Sequence, residues 1–133
     1  MIEHDSNNYL YSDISEKIIK AFYNVYNKLG YGFLEKVYEN SLMIELKKFN
    51  LECENQKRID VFYDHNKVGE YYADIIVENK IIVELKTFES LSKEHEIQLV
   101  NYLKGSNIEV GLLLNFGKEP QHRRKVFSKN YKS

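Results

Sequence analysis

The chain has 133 residues, of which 43% are apolar and 29% are charged, a composition that suits one domain with a hydrophobic core and a solvated surface. Its single cysteine excludes an internal disulfide and a cysteine-based zinc site, and its net charge of −1 gives no global sign of a nucleic-acid binder. The first residues lack the basic and then apolar order of a signal peptide, and no apolar stretch is long enough to span a membrane, so we expect a cytoplasmic protein.

Two helices are predicted in the first 50 residues. The first covers residues 14–29, begins with a capping pair formed by Asp13 and Glu16, and ends at Gly30. The second covers residues 34–49. Each carries an apolar stripe at helical spacing, namely Ile14, Ile18, Phe22, Val25 and Leu29 in the first and Leu34, Tyr38, Leu42, Leu46 and Phe49 in the second.

The next segment has the character of β-strands. Strands are predicted at residues 57–63, 68–77 and 81–87, with turns at residues 64–67 and 78–80 between them. Because consecutive strands joined by short turns pair in opposite directions, this segment should form an antiparallel meander.

The remaining elements predict a β-α-β unit. A helix over residues 90–104 ends at Gly105 and is followed by the most apolar strand, residues 108–116. This strand should lie parallel to residues 81–87 through a right-handed crossover, and the apolar character of both suits a sheet covered on both faces. We therefore expect one α/β domain over residues 1–133, with a central mixed sheet flanked by helices.

The end of the chain is basic. From residue 118 onward, six Lys or Arg against one Glu give +5, and because the whole chain carries −1, the remainder carries −6. Arg123, Arg124 and Lys125 in this tail are candidates for contacts with nucleic-acid phosphates. The alternative is a solvated and partly frayed terminus, and the sequence does not separate the two.

Three polar residues interrupt the apolar strands. Asp74 lies within residues 68–77, whereas Glu84 and Lys86 lie within residues 81–87, where strand alternation puts both on one face. Buried carboxylates are costly unless they are paired or bind a metal. Two carboxylates and a lysine are the groups that phosphodiester hydrolysis with Mg²⁺ requires, since this ion takes oxygen ligands and activates a bound water. A structural ion pair of Lys86 with one carboxylate is the alternative.

The turn between these strands decides whether the two carboxylates meet. A three-residue loop at residues 78–80 would put Asp74 directly opposite Glu84, on the same face of the sheet. A two-residue loop would send them to opposite faces. Because a shared metal ion needs both carboxylates on one face, we expect the three-residue loop or a compensating bulge.

The neighbouring helices carry further candidates. His95, Gln98 and Tyr102 share one face of the predicted helix at residues 90–104. The alternative is an ordinary amphipathic core helix with Tyr and His at its edge. Glu35 lies at the start of the second helix and, taken alone, would be an ordinary surface glutamate.

In this order the motifs resemble the PD-(D/E)XK nuclease superfamily and, more closely, the GxxExxY protein family. The matching residues are Gly32, Glu35 and Tyr38 for the GxxExxY motif, Asp74 with Glu84, Leu85 and Lys86 for the D…ExK core, Gln98 and Tyr102 for the QxxxY motif of RecB-like and phage exonucleases, and residues 111–117 for the last core strand. Ala73 stands where the superfamily has proline. The resemblance covers about residues 14–117 and implies a nuclease-like fold.

The resemblance, combined with the chemistry of the side chains, implies a metal site. Asp74 and Glu84 would bind Mg²⁺ or Mn²⁺, with the Leu85 carbonyl as a third protein ligand. Glu35 would reach the same site from the second helix, as an additional ligand that binds directly or through water.

Other residues would act on the substrate. Lys86 would position or activate the attacking water. Gln98 would orient Lys86 or the scissile phosphate, and Tyr102 would contact the phosphate or pack beside it. His95 would assist in substrate binding or, alternatively, cap its helix at the edge of solvent.

Two classes of function follow. The first is a metal-dependent deoxyribonuclease in DNA repair, recombination or defence, and the second is a module that binds nucleic acid or protein on a nuclease fold without catalysis. The intact set of Asp74, Glu84, Lys86 and Gln98 favours the first, since a module without catalysis has no need of buried charges. An RNA-directed nuclease would use the same chemistry, and the sequence leaves open whether the protein is a monomer or a homodimer.

Overall fold

The computed structural model describes residues 10–128, which form three helices and five strands. In chain order these are α1 (Ser12–Leu29), α2 (Glu35–Lys48), β1 (Cys53–Tyr63), β2 (Asn66–Val77), β3 (Ile81–Lys86), α3 (Lys93–Lys104), β4 (Val110–Phe116) and β5 (Pro120–Val126). The strands form one sheet in the order β1-β2-β3-β4-β5. β3 and β4 are parallel and the other neighbours are antiparallel, which confirms the predicted mixed sheet.

Helices cover both faces of the sheet. On one face α1 and α2 pack through a core that includes Phe22, Tyr38 and Leu42, and on the other α3 packs through Leu99 and Leu103. β3 and β4 lie between these layers, and their nearly complete burial explains their apolar sequences. In the part of the chain that is described, no helix combines the length and the apolar character needed to cross a membrane.

The helix ends follow the predictions in part. Gly30 ends α1 with a φ of 69°, and Gly105 is the C-cap of α3, both as expected. The predicted capping pair of Asp13 and Glu16 is wrong, because Tyr11 occupies the N-cap of α1 and its side chain makes no capping hydrogen bond. Leu34 was expected in the apolar stripe of the second helix but is instead the exposed N-cap residue of α2.

The largest difference from the predicted elements is in the basic tail. Residues 120–126 form β5, which pairs with β4 along its whole length from Phe116 to Val110. A frayed terminus is therefore wrong for this segment, whereas residues 129–133 of the tail lie outside the described residues. The charged sequence from Gln121 to Lys125 hides the strand, because it has no alternation of apolar and polar residues.

The β1–β2 hairpin extends beyond the rest of the sheet. β2 pairs with β3 over residues 75–77, whereas residues 66–73 continue along β1 only. Asp74 is therefore the residue at which β2 leaves β3. This divergence opens the sheet at the position where the sequence predicts the metal site.

Candidate active site

The loop between β2 and β3 sets the register of the two carboxylates. Val77 pairs with Ile81 across the three-residue loop 78–80, and Ile75 pairs with Val83. One step further along this register, Asp74 falls opposite Glu84. The structure thus confirms the predicted three-residue loop.

The two carboxylates take positions at which backbone pairing between β2 and β3 would otherwise continue. Glu84 Oε2 accepts a hydrogen bond of 2.9 Å from the backbone N–H of Asp74. Asp74 Oδ2 in turn accepts a hydrogen bond of 2.8 Å from the backbone N–H of Leu85. Each carboxylate is therefore fixed by the main chain of the opposite strand, and the strands stay separated between them.

Asp74 also marks an irregularity in β2. Ala73 and Ile75 would share a face in a regular strand, but Ala73 packs in the cluster with α3 and Ile75 in the cluster with α1 and α2. On the neighbouring strand, Gln56 has a φ of 51°, in the left-handed region. The regular register of β1 and β2 skips both Gln56 and Asp74. This irregularity lets groups from both helical layers approach Asp74.

From the side of α2, two glutamates approach the site. Burial raises the pKa of Glu35, nearby Asp74 raises it further, and Lys86 lowers it, so Glu35 lies within electrostatic reach of both. One turn later, buried Glu39 accepts hydrogen bonds from Asn55 Nδ2 at 2.9 Å and from Gln56 Nε2 at 3.0 Å. Gln56 Nε2 also lies 3.5 Å from Asp74 Oδ1. Glu39 thus holds the side chain of Gln56, which lies beside Asp74 Oδ1.

From the side of α3, two residues reach the site. Lys86 Nζ donates a hydrogen bond of 3.0 Å to Gln98 Oε1, so that Gln98 fixes the ammonium group. Tyr102 is buried, and its ring centroid lies 4.6 Å from that of Tyr71. Burial, together with the charges of Glu84 and Asp74, raises the pKa of Tyr102 to about 12. Gln98 was predicted to orient either Lys86 or the phosphate, and its position fits the first role. Tyr102 was predicted to contact the phosphate or to pack beside it, and its burial fits packing.

The electrostatics of the pair favour a cation. Burial, and next the charge of Asp74, raise the pKa of Glu84 to about 9. Burial also raises the pKa of Asp74, although the N–H of Leu85 opposes the shift. The buried Glu84 and the adjacent, half-buried Asp74 are thus costly to ionise together, and a divalent cation between them would remove that cost.

The donor set fits a Mg²⁺-type ion that shares its coordination with water and substrate. Within residues 10–128, no three His, Cys, Asp or Glu side chains are gathered closely enough to hold a metal ion by themselves. Mg²⁺ often uses only one or two carboxylates and completes its shell with waters and phosphate oxygens. Asp74 and Glu84 each use one oxygen on the backbone, so the other oxygen of each can serve such an ion.

His95 lies in the cap of α3. Its Nδ1 accepts a hydrogen bond of 3.1 Å from the N–H of Ser92, whose side chain accepts one of 3.4 Å from the N–H of His95. Burial and the positive charge of Lys86 lower the pKa of His95. Capping, one of the two predicted alternatives, is therefore present, and a role of His95 in binding substrate stays a prediction.

The three basic candidates in β5 do not form one patch. Arg123 and Lys125 pair with Glu96 of α3, at 3.7 Å and 2.7 Å. Arg124 donates a hydrogen bond of 2.6 Å to the carbonyl of Leu10, near the start of α1. Because side chains alternate along a strand, Arg124 lies on the other face of the sheet, and its predicted contact with phosphate would be separate from that of its neighbours.

Sequence reasoning missed three polar residues that hold the site in place. Gln56 borders Asp74, and Glu39 holds Gln56 in place. Asn115, fully buried in β4, holds the main chain of Phe88 through two hydrogen bonds, from the N–H of Phe88 at 2.9 Å and to its carbonyl at 2.8 Å. A polar residue within the most apolar strand was the available signal for Asn115, and no comparable signal pointed to Gln56.

Comparison with known proteins agrees with this fold. The sequence model of the PD-(D/E)XK nuclease superfamily matches residues 12–126, and a search of the curated proteins finds no match. Among solved structures, the crystal structure of SSO0001 is similar in fold, with a TM-score of 0.56 and 21% identity over 74% of this chain. The matched region is 54% of that chain, so this protein spans about half of its length. Since the family match covers most of the sequence and the five-stranded mixed sheet flanked by helices agrees with it, the chain belongs to the PD-(D/E)XK nuclease superfamily.

Proposed function

We propose that this protein is a divalent-metal-dependent nuclease that hydrolyses phosphodiester bonds in DNA. The observation that carries the proposal is the opening between β2 and β3, where Asp74 and Glu84 are each fixed by the backbone of the opposite strand. Lys86, held by Gln98, lies next to this pair along β3. In an ordinary sheet, replacing backbone pairing with two carboxylates that repel each other would only lower stability.

Asp74 and Glu84 are the residues that we propose to hold Mg²⁺ or Mn²⁺. The N–H and C=O of a strand residue project toward the same neighbouring strand, so the Leu85 carbonyl faces β2, as the Leu85 N–H does. It is therefore suited to be the third protein ligand, and Glu35 to be an additional one from α2. The bound ion would activate a water molecule and offset the charge of the phosphate.

Lys86 is the residue that we propose to act on the attacking water. Its ammonium is tied to Gln98 Oε1 at 3.0 Å, which limits the positions that it can take. An ammonium held beside the carboxylates can orient the water and stabilise negative charge as it develops on the phosphate.

The GxxExxY motif has a structural explanation that supports membership of that family. Gly32 has a φ of 111°, which favours glycine. The Tyr38 hydroxyl donates to the carbonyl of Gly30 at 2.7 Å and accepts from the N–H of Phe33 at 3.2 Å. Together these residues fix the loop before α2 and so direct Glu35, in the first turn, toward Asp74 and Lys86. The biological setting that we propose is DNA repair, recombination or defence in the cytoplasm.

A cleavage assay tests the proposal. The purified protein would be incubated with labelled linear DNA, circular DNA and RNA, each with Mg²⁺, Mn²⁺ or EDTA. We expect metal-dependent cleavage of DNA that falls by about 100-fold or more in Asp74→Asn and Lys86→Ala, whereas the circular dichroism of both variants stays native. Glu70→Gln, which removes an exposed carboxylate of the same strand, is the matched control and should cleave normally. Wild-type rates in Lys86→Ala, or cleavage in EDTA, would contradict the mechanism.

A further inference from the structure

Three exposed aromatic rings surround a cavity beside the proposed active site. The cavity has a volume of about 430 Å³, and its walls include Tyr31, Phe33, Phe88 and Lys118. Tyr31 is 57% exposed, Phe33 46% and Phe88 50%. Large apolar rings gathered at this exposure around one concave surface suggest a ligand with a flat apolar face.

The cavity adjoins the residues that the proposed reaction uses. Phe88 follows Lys86 by two residues, and Phe33 precedes Glu35 by two residues. The Phe88 ring also contacts His95, with centroids 4.4 Å apart. A nucleic-acid strand with its phosphate at Asp74 and Glu84 would therefore have neighbouring nucleotides within reach of these rings.

The walls of the cavity are fixed by buried or half-buried side chains. Asn115 binds both backbone groups of Phe88, and the Tyr38 hydroxyl binds the loop that carries Phe33. The Tyr26 hydroxyl lies 2.9 Å from the carbonyl of Gly117 and 2.6 Å from that of Lys118. The loops that carry the rings are thus held in place by hydrogen bonds, so a ligand would lose little binding free energy to ordering them.

Gly117 allows the end of β4 and the loop that carries Phe88 to lie close together. A Cβ added at Gly117 would lie only 2.2 Å from the carbonyl oxygen of Phe88. Any other residue would push the Phe88 loop away from β4 and change the shape of the cavity. Close contact between these segments is therefore part of how the cavity is built.

We propose that this cavity binds unpaired bases of the substrate, so that the protein acts on single strands or on unpaired ends and flaps. The inference rests on the proposed nuclease function and specifies its substrate class. Base stacking on aromatic rings next to positive charge is the general way in which proteins bind single strands, and Lys118 supplies that charge in the wall of the cavity. A base within a duplex is already stacked on both faces and cannot enter. Glu89 also lines the cavity, so stacking rather than charge has to provide the preference for bases.

Binding without cleavage tests this inference. Fluorescence anisotropy in EDTA would compare three labelled probes: a short oligothymidine strand, a strand of the same length made of abasic sites, and a blunt duplex. Wild-type protein should bind the oligothymidine strand several-fold more tightly than the abasic strand, because both carry the same phosphates and only the first carries bases. Equal binding of these two strands would overturn the inference.

Ring variants locate the binding to the cavity. Tyr31→Ala, Phe33→Ala and Phe88→Leu should each weaken binding of the oligothymidine strand by about 5-fold or more and leave the abasic strand unchanged. Phe88→Tyr keeps an aromatic ring and should bind as wild type does. Phe62→Ala and Tyr63→Ala are matched controls, since both rings are exposed but lie at the tip of the β1–β2 hairpin, roughly 23 to 26 Å along β2 from Asp74 at 3.3 Å per residue.

The outcomes separate this inference from the proposed function. If the ring variants bind all probes normally while Mg²⁺-dependent cleavage persists, the nuclease assignment stands and the cavity serves another partner. If instead no substrate is cleaved with any metal but the ring variants lose the preference for bases, the binding site stands and the proposed catalysis fails.

Discussion

The two halves of β3 differ, although they belong to one six-residue strand. Residues 81–83 pair with β2 on one side and with β4 on the other. From Glu84 to Lys86 the pairing with β4 continues, but on the side of β2 the N–H of Leu85 binds the Asp74 carboxylate instead. Residues 81–83 therefore anchor the strand through backbone pairing on both sides. In residues 84–86, backbone groups that are not paired with β2 instead hold side chains of the active site.

Mutations in residues 81–83, the anchoring half of β3, should lower the stability of the protein. Ile82 is fully buried against α3, so Ile82→Ala should lower the free energy of unfolding by about 2–5 kcal/mol. Chemical denaturation measures this loss. The folded fraction should keep its cleavage rate per molecule, and a loss of activity without a loss of stability would break the distinction between the halves.

Removing the charge of Glu84, in residues 84–86 of β3, should instead raise the stability of the metal-free protein. The Glu84 carboxyl has a pKa of about 9 in the folded protein, above its usual value of 4.5, so the metal-free folded state binds more protons than the unfolded state between these values. The stability of the metal-free protein should therefore fall as the pH rises from about 4.5 to 9, a window set by this shift.

Replacing that carboxyl with a neutral group should remove the effect. Glu84→Gln should be about 1–3 kcal/mol more stable than wild type at pH 8 in EDTA, and its stability should depend less on pH. Thermal denaturation across this pH range provides the measurement, with Glu70→Gln as the control for an exposed carboxylate. A wild-type protein whose stability rises through this window would contradict the raised pKa of buried Glu84.

Glu39 tests whether the opening needs support from α2. Its carboxylate accepts from Asn55 and Gln56, and Gln56 borders Asp74 Oδ1. Glu39→Gln puts an amide donor among these donors and should weaken Mn²⁺ binding by about 10-fold. Titration with Mn²⁺ measures the change, and Glu45→Gln, at another buried glutamate of the same helix, is the control. Equal weakening in both variants would assign the effect to α2 as a whole.

The smallest expected effect concerns β5. Because Arg124 lies on the other face of the sheet from Arg123 and Lys125, replacing these two with alanine should flatten the salt dependence of DNA binding by up to about two units of slope. Adding Arg124→Ala should change the slope little further. A third unit lost with Arg124 would mean that DNA reaches both faces, and an unchanged slope in the double variant would exclude contacts from this strand.

Much of the framework could be predicted because it rests on local patterns. The apolar sequences of β3 and β4 and the helix between them predicted a parallel pair. The turn sequence left the length of the loop at residues 78–80 open, and the register of Asp74 against Glu84 was predicted from the requirement that a shared metal ion has both carboxylates on one face. The irregularity at Gln56 and Asp74 could not be predicted in the same way, because Gln56 lies in a run of polar residues, 54–58, that carries no apolar pattern to mark a break in the strand. β5 was missed because its charges are satisfied by α3 and by the start of α1, contacts that only the folded chain brings together.

Binding of Mn²⁺ shows whether Asp74 and Glu84 form a metal site where β2 leaves β3. Electron paramagnetic resonance can count the bound ions in wild-type protein, in Asp74→Asn and in the control Glu70→Gln. We expect Mn²⁺ to bind wild type and Glu70→Gln alike, and binding to fall by about 10-fold or more in Asp74→Asn. Undiminished binding in Asp74→Asn, with its fold intact, would mean that Asp74 is not a metal ligand.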